Sequence, residues 1–82
     1  MITITYFGNL KQLLPSGEEQ LAWTGGTSDE LLAQLRARNP DWEQALAPER
    51  IFKMAINQQL LHHSVAIKSG DHVAILPPVT GG

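Results

Sequence analysis

Residues 25–35 read Gly-Gly-Thr-Ser-Asp-Glu-Leu-Leu-Ala-Gln-Leu, and this stretch decides the fold of the chain. Thr27, followed three residues later by Glu30, is typical of a capping box, in which two side chains satisfy backbone N–H groups at the start of a helix. The leucines that follow form an apolar stripe: Leu31, Leu32 and Leu35. Because Pro40 cannot continue a helix, we predict one that is capped by Thr27 and runs to about Asn39.

Strands are predicted on both sides of this helix. Upstream, residues 2–7 and 18–23 alternate between apolar and polar side chains, which is the period of a half-buried strand. Downstream, strands are expected over residues 51–57, 60–61 and 72–76. Two strands, one main helix and a returning set of strands indicate an α+β fold. The order predicts a ubiquitin-like β-grasp roll, in which a mixed sheet packs on the helix.

The chain is long enough for one domain, since it has 82 residues. We predict a β-grasp domain over residues 1–76 and a flexible, extended C-terminal tail over residues 77–82. In this roll the first and last strands are central, adjacent and parallel. Phe7 and Leu76 each end one of these strands and are therefore expected to lie close together. A short second helical piece is expected over residues 41–46.

Side chains of a strand alternate between the two faces of a sheet. The helix is expected to cover the apolar side chains of one face: Ile2, Ile4, Met54, Ile56, Val73 and Ile75. The opposite face, which we call the outer face, then carries Thr3, Thr5, Phe7, Ala55, Ala74 and Leu76. A solvent face with this much apolar character predicts a partner-binding surface. The alternative is that residues 9–14 fold over it.

Composition excludes several classes of function. The net charge is -2 and no basic run is present, which argues against nucleic acid and against an anionic membrane surface. The chain has no cysteine, so disulfides, thiolate metal sites and a catalytic thiol are excluded. No signal-peptide pattern and no apolar run of membrane-spanning length is seen, so we expect a cytoplasmic protein.

The three histidines do not predict a metal site. His62 and His63 are neighbours, and on a strand neighbouring side chains point to opposite faces. His72 adds a third imidazole, but no acidic residue stands at a recognised ligand spacing. We therefore interpret them as exposed edge or loop histidines.

The last six residues read Pro-Pro-Val-Thr-Gly-Gly. Pro77 and Pro78 favour a stiff polyproline segment, and the four residues after them span at most about 13–14 Å. Gly82 offers a carboxylate with no side chain beside it, so a partner's narrow channel can admit it. Conversion to an acyl adenylate with ATP would let a sulfur nucleophile form a thiocarboxylate, or a lysine form an amide. The alternative is an idle terminus.

Three stretches carry a resemblance to a known family. They are residues 6–13, residues 69–74 with their Ser-Gly-Asp-His-Val-Ala sequence, and residues 76–82. Together they resemble the small subunit of molybdopterin synthase, a ubiquitin-like sulfur carrier of molybdenum-cofactor biosynthesis. The likeness covers the whole chain, although residues 39–51 carry little of it and receive no role.

This resemblance implies a carrier that is not an enzyme on its own and holds no cofactor. An adenylating enzyme of the ubiquitin-activating type would use ATP on Gly82, and a sulfurtransferase would supply the sulfur of a thiocarboxylate. Gly81 and Gly82 would then enter the active site of the large catalytic subunit, in a heterotetramer, and pass sulfur to cyclic pyranopterin monophosphate.

The resemblance also implies roles for residues outside the terminal glycines. The docking surface would include Phe7, Ala74 and Leu76, and the threaded arm would consist of Pro77, Pro78, Val79 and Thr80. Three alternatives stay open: a sulfur carrier for thiamine or tRNA thiolation, a ubiquitin-like modifier conjugated through Gly82, and an interaction module without tail chemistry.

Overall fold

The structure is a computed structural model that describes residues 1–47 and 52–76. Seven strands are present in the described ranges: β1 Ile2–Tyr6, β2 Glu18–Leu21, β3 Gly26–Thr27, β4 Lys53–Ile56, β5 Gln59–Leu60, β6 Ala66–Ile67 and β7 His72–Leu76. The helices are α1 Ser28–Arg36 and α2 Pro40–Ala45, with a 3-10 helix at Gly8–Gln12 between β1 and β2. Residues 77–82, for which a tail was predicted, lie outside the described residues.

Five strands form a mixed sheet in the order β2-β1-β7-β4-β5. β1 and β7 are adjacent and parallel, with Thr5 beside Ala74 and Tyr6 beside Ile75. β1 pairs antiparallel with β2, and β7 pairs antiparallel with β4. The first and last strands are therefore central, as predicted, and the chain has the ubiquitin-like β-grasp arrangement.

The capping box at the start of α1 is confirmed. The backbone N–H of Thr27 donates to Oε1 of Glu30 at 2.9 Å, and the N–H of Glu30 donates to Oγ1 of Thr27 at 3.2 Å. α1 ends at Arg36 rather than at Asn39. The reason is that Asn39 has extended backbone and caps α2, where its Oδ1 accepts from the N–H of Trp42 at 3.1 Å. Capping residues compete with helix continuation.

The core lies between α1 and one face of the sheet. Its fully buried members come from β1, β7, α1 and the residue that follows α2: Ile2, Ile4, Tyr6, Leu31, Leu35, Leu46, Val73 and Ile75. Trp42 on α2 is also buried, so this helix contributes to the core as well. The predicted separation of helix-facing from outer side chains thus holds for the central strands.

A second, two-stranded sheet was not predicted. β3 and β6 pair antiparallel, with Gly26 opposite Ile67, and the indole Nε1 of Trp23 donates to the carbonyl of Ile67 at 3.0 Å. Both strands have only two residues, too few for an alternating pattern to be read from sequence. The predicted strand at 51–57 begins at Lys53, and Ile51 lies outside the described residues.

Candidate functional site

The outer face is built from three rows of residues that pairing register places side by side. The middle row runs from Glu18 through Thr5, Ala74 and Ala55 to Leu60. The row nearest the end of β7 contains Leu76, with Lys53 directly opposite. The row at the start of β7 pairs Gln20, Thr3 and His72. Directly paired residues share one face of a sheet, so these side chains form one surface.

Phe7 is the most prominent aromatic side chain of this surface. It is 41% exposed, and its backbone N–H donates to the carbonyl of Ile75 at 3.1 Å. Phe7 still has extended backbone, so its side chain points away from the core into which Tyr6 points. Gly8 follows with φ of 63°, a conformation that glycine adopts easily, and turns the chain into the 3-10 helix.

The 3-10 helix does not cover Phe7. Leu10 is buried with the core, and Leu13 and Leu14 are packed against it. The alternative in which residues 9–14 shield the outer face is therefore wrong for Phe7. The other predicted docking residues, Ala74 and Leu76, are half-buried.

Leu60 is an outer-face residue that sequence reasoning missed. It is 52% exposed and lies opposite Ala55, which is itself buried between its strand neighbours. The feature of the sequence that could have revealed it is the turn that precedes β5. Asn57 and Gln58 both have positive φ, as a tight two-residue hairpin requires, so pairing resumes at Gln59 and places Leu60 on the outer face.

The start of β7 is a polar, hydrogen-bonded corner of the same face. Nε2 of His72 lies 2.9 Å from Oγ1 of Thr5. Asn57 Oδ1 accepts from the N–H of His72 at 3.0 Å, and Asn57 Nδ2 donates to Asp71 at 3.1 Å. The backbone N–H of Lys68, followed by the Asn57 amide, holds the pKa of Asp71 below its ordinary value. These contacts fix the turn from which β7 begins.

A charged and aromatic cluster anchors the opposite side of β1. Tyr6 donates to Oε2 of Glu19 at 2.6 Å, and the guanidinium of Arg38 donates to both carboxylate oxygens of Glu19 at 2.8 and 2.7 Å. Arg38 also lies 4.5 Å from the ring centroid of Trp42, which meets Tyr6 edge-on at 5.4 Å. Sequence alone did not reveal this cluster, because its members come from β1, β2, the α1–α2 turn and α2.

The ionisation of this cluster follows from its geometry. Burial raises the pKa of Tyr6, and the hydrogen bond to Glu19 and its charge raise it further. Burial opposes ionisation of Glu19, but hydrogen bonds from Arg38 and Tyr6 outweigh it and hold the pKa of Glu19 below its ordinary value. The cluster is therefore a neutral phenol bonded to an ion pair at neutral pH. It fixes β1 immediately before Phe7.

Metal-ligand geometry is not found in the described ranges. Within residues 1–47 and 52–76, no three histidine, cysteine or acidic side chains converge on a common point. His62 and His63 are exposed in a bend after β5 rather than on a strand, and His72 is bonded to Thr5. Within the same ranges, no helix is long and apolar enough to cross a bilayer.

Chemically, the described outer face carries groups of the kind that bind a partner surface. It offers an exposed phenyl ring, aliphatic side chains and one lysine around the residue at which β7 ends. The predicted reacting residue Gly82 and the arm from Pro77 to Gly81 lie outside the described residues. They follow Leu76 in the sequence, and Leu76 ends the central strand β7.

Comparison with known proteins shows similarity along the whole chain. The model of the ThiS family matches residues 4–82. The chain is 32% identical over 82 residues to the molybdopterin synthase sulfur carrier subunit of Haemophilus influenzae, with both chains covered completely. The protein of the same name from Escherichia coli K12 is 30% identical, again over both complete chains. That from Chlamydomonas reinhardtii is 30% identical, covering 99% of this chain and 98% of its own.

Proposed function

The chain belongs to the ThiS family, and on that premise we propose that it is the sulfur carrier subunit of a molybdopterin synthase. The observation that carries this proposal is the similarity to three proteins of that name. For two of them it extends over the complete chain, Gly81 and Gly82 included. In this role the chain is a noncatalytic subunit that binds no cofactor. The catalytic residues belong to a large subunit.

The reacting group is the terminal carboxylate of Gly82. One carboxylate oxygen attacks the α-phosphorus of ATP on an adenylating enzyme of the ubiquitin-activating type, and pyrophosphate leaves. Hydrosulfide, supplied through a sulfurtransferase, then attacks the carbonyl carbon, the bond from this carbon to the AMP oxygen breaks, and AMP leaves with a thiocarboxylate as the product. A side chain at position 82 would crowd this carbon, and glycine has none.

The fold supports delivery of this group to a partner. β7 is held on both sides, by β1 and by β4, so the point from which residues 77–82 depart is fixed relative to the outer face. At this point the backbone N–H of Phe7 donates to the carbonyl of Ile75, the residue before Leu76, and the side chain of Phe7 is 41% exposed. We assign Phe7, Ala74 and Leu76 to the surface that docks on the large subunit. Pro77, Pro78, Val79 and Thr80 form the arm that carries Gly81 and Gly82 into the active site.

The acceptor is cyclic pyranopterin monophosphate, to which the large subunit transfers the sulfur. Two carriers and two large subunits form the heterotetramer. Each carrier returns with a free carboxylate and is charged again. The chain therefore needs a surface that exchanges between two partners, the adenylating enzyme and the large subunit.

Intact mass spectrometry tests the proposal. The chain is incubated with ATP, the adenylating enzyme and a sulfide source, and its C-terminal peptide is then analysed. We expect one oxygen to be replaced by one sulfur at Gly82. A variant without Gly82 is the matched control and should stay unchanged. An amide link from Gly82 to a lysine would instead identify a protein modifier, and an unmodified wild-type chain would contradict any carrier role.

A further inference from the structure

Two opposite charges stand at the borders of the outer face, and the fold and its proposed chemistry leave both unexplained. Lys53 lies directly opposite Leu76, on the β4 side of the face. Glu18 lies directly opposite Thr5, on β2 at the other border. Both side chains are exposed. Between them lie Phe7 and Ala74, so an apolar strip separates a cation from an anion.

The spacing of these charges follows from the sheet. Lys53 and Glu18 are three strand spacings apart across β4, β7, β1 and β2 and differ by two residues along the strands. With about 4.8 Å between strands and 3.3 Å per residue, their Cα atoms are about 16 Å apart. At that distance they do not form an ion pair with each other. Within residues 1–47 and 52–76, the salt bridge that is formed joins Arg38 to Glu19, and it lies on the other side of the sheet.

A carrier of the proposed kind must dock in one orientation. Residues 77–82 leave the sheet at Leu76, and a partner rotated about the normal of the outer face would place its active site away from them. The apolar strip of Phe7 and Ala74 contributes affinity but little directional information, since hydrophobic contact is non-directional. Charged pairs at the border of an interface set register and steer association.

We infer that Lys53 and Glu18 orient the large subunit on the outer face. The partner surface that fits carries a carboxylate side chain opposite Lys53, next to the entrance of its channel, and a lysine or arginine opposite Glu18. When Lys53 and Glu18 each contact the opposite charge on the large subunit, the entrance of that subunit's channel faces Leu76. With the partner turned by half a rotation, each charge meets one of its own sign. This inference rests on the proposed function and names the partner chemistry of the same site.

A competing explanation for Lys53 is protection of an exposed strand edge. β5 pairs with Ala55 and Ile56 but not with Lys53, and lysines on unpaired edges discourage aggregation. That role predicts self-association of a Lys53 variant and no effect on binding of a partner. The orienting role predicts the reverse. The two explanations therefore differ in a measurable quantity.

The experiment measures the association rate constant of the full chain with its cognate large subunit by stopped-flow fluorescence. The two test variants are Lys53→Glu and Glu18→Lys. The control variants Lys68→Glu and Glu43→Lys make the same changes in net charge, but away from the borders of the outer face. Lys68 precedes the turn at the opposite end of β7, and Glu43 is exposed on α2. Lys53→Gln, which is neutral, separates loss of attraction from repulsion. Thermal melting confirms that each variant is folded.

We expect Lys53→Glu and Glu18→Lys to lower the association rate by about tenfold at low ionic strength and Lys53→Gln by about threefold. These differences should vanish at about 1 M salt, where the Debye length is about 3 Å. The control variants should stay within about twofold of wild type. Equal rates for all folded variants, or a loss that salt leaves unchanged, would overturn the orienting role.

Thiocarboxylate formation on the adenylating enzyme is measured in parallel. A wild-type chain that is thiocarboxylated and binds the large subunit, with no charge effect, removes this inference alone. A wild-type chain that is not thiocarboxylated and does not bind removes the proposed function together with the inference.

Discussion

The phenol of Tyr6 donates a hydrogen bond of 2.6 Å to Oε2 of Glu19, and Phe7 immediately after it is turned outward with 41% of its surface exposed. One end of β1 thus holds both the Tyr6 anchor and the outward-facing ring of Phe7, which we propose as a docking residue. The Tyr6–Glu19 hydrogen bond holds β1 on the side that faces the core. The guanidinium of Arg38 donates two further hydrogen bonds to the same carboxylate. Changes to this anchor are predicted to alter stability.

Glu19→Gln should destabilise the fold by about 1–2 kcal/mol, since it weakens hydrogen bonds to a charged group that is partly exposed. The side chain of Glu19 is 18% exposed and that of Arg38 is 28% exposed, so solvent reduces but does not abolish the ion pair. Urea denaturation gives the free energy of unfolding. Glu18→Gln, one residue away with an exposed side chain, is the matched control and should change it by less than about 0.5 kcal/mol.

The ion pair of Glu19 and Arg38 also predicts how the free energy of unfolding depends on pH. Because the folded-state pKa of Glu19 is lowered below 4.5, its contribution is present above pH 4.5 and is lost as pH falls through the lowered value. The free energy of unfolding of Glu19→Gln should therefore fall less steeply with acid than that of wild type. Parallel curves for the two proteins would show that Glu19 has the same pKa folded and unfolded.

Tyr6 is the chain's one tyrosine, so phenolate absorbance reports on it alone. Its folded-state pKa is raised above the ordinary value of 10.0, first by burial and then by Glu19. Stability contributed by the neutral phenol is present below pH 10 and is lost as pH rises above it. In folded protein we expect no phenolate absorbance near pH 10. The absorbance should appear only when the protein unfolds. A simple titration near pH 10 in folded protein, with circular dichroism unchanged, would contradict this burial.

Phe7→Asp should weaken binding to the large subunit by more than about 1–2 kcal/mol, as loss of an aromatic anchor does. The melting temperature should change little, because Phe7 is exposed and outside the core. Isothermal titration calorimetry measures the affinity. Ala33→Asp, on the exposed side of α1, is the control for added charge. Unaltered affinity in Phe7→Asp would remove this ring from the interface.

Gly26→Ala and Gly25→Ala form a matched pair for the β3–β6 sheet. Both positions have φ near +120° to +136°, which a side chain disfavours. A Cβ at Gly26 would lie 3.1 Å from Cζ2 of Trp23, whereas one at Gly25 meets nothing within 4 Å. Trp23 is held by its bond to Ile67, so it moves at a cost. We expect Gly26→Ala to be less stable than Gly25→Ala by about 1 kcal/mol, measured by urea denaturation.

Gly81→Ala should impair sulfur transfer while leaving the melting temperature nearly unchanged. Position 81 follows β7, the last described strand, by five residues in the sequence, so the substitution changes none of the described residues. In the proposed role this segment enters a narrow channel, and a methyl group at position 81 would add width to it. Single-turnover assays with thiocarboxylated chain and the large subunit measure the transfer rate. Thr80→Ser, a change that keeps the hydroxyl, serves as control, and full activity of Gly81→Ala would argue against threading.

Much of the fold could be predicted because its signals are local. The Thr27–Glu30 capping box depends on contacts within one turn, and the alternation of β1 and β7 depends on neighbours two residues apart. The parallel placement of β1 beside β7 followed from the order of elements. Gly81 and Gly82 predicted carboxylate chemistry because glycine has no side chain to obstruct the terminal carboxylate. That prediction needed no information about the rest of the chain.

The tertiary structure decided what depends on residues far apart in sequence. Glu19 and Arg38 meet because β2 and the α1–α2 turn lie over the same end of β1, and no local pattern encodes that contact. Leu60 joined the outer face only once a two-residue turn at Asn57 and Gln58 set the register, since a shift of one residue would reverse its face. Lys53 and Glu18 lie on the same face, on either side of an apolar strip, for the same reason. Sequence determines the alternation within each strand, but pairing between strands decides which side chains share a surface.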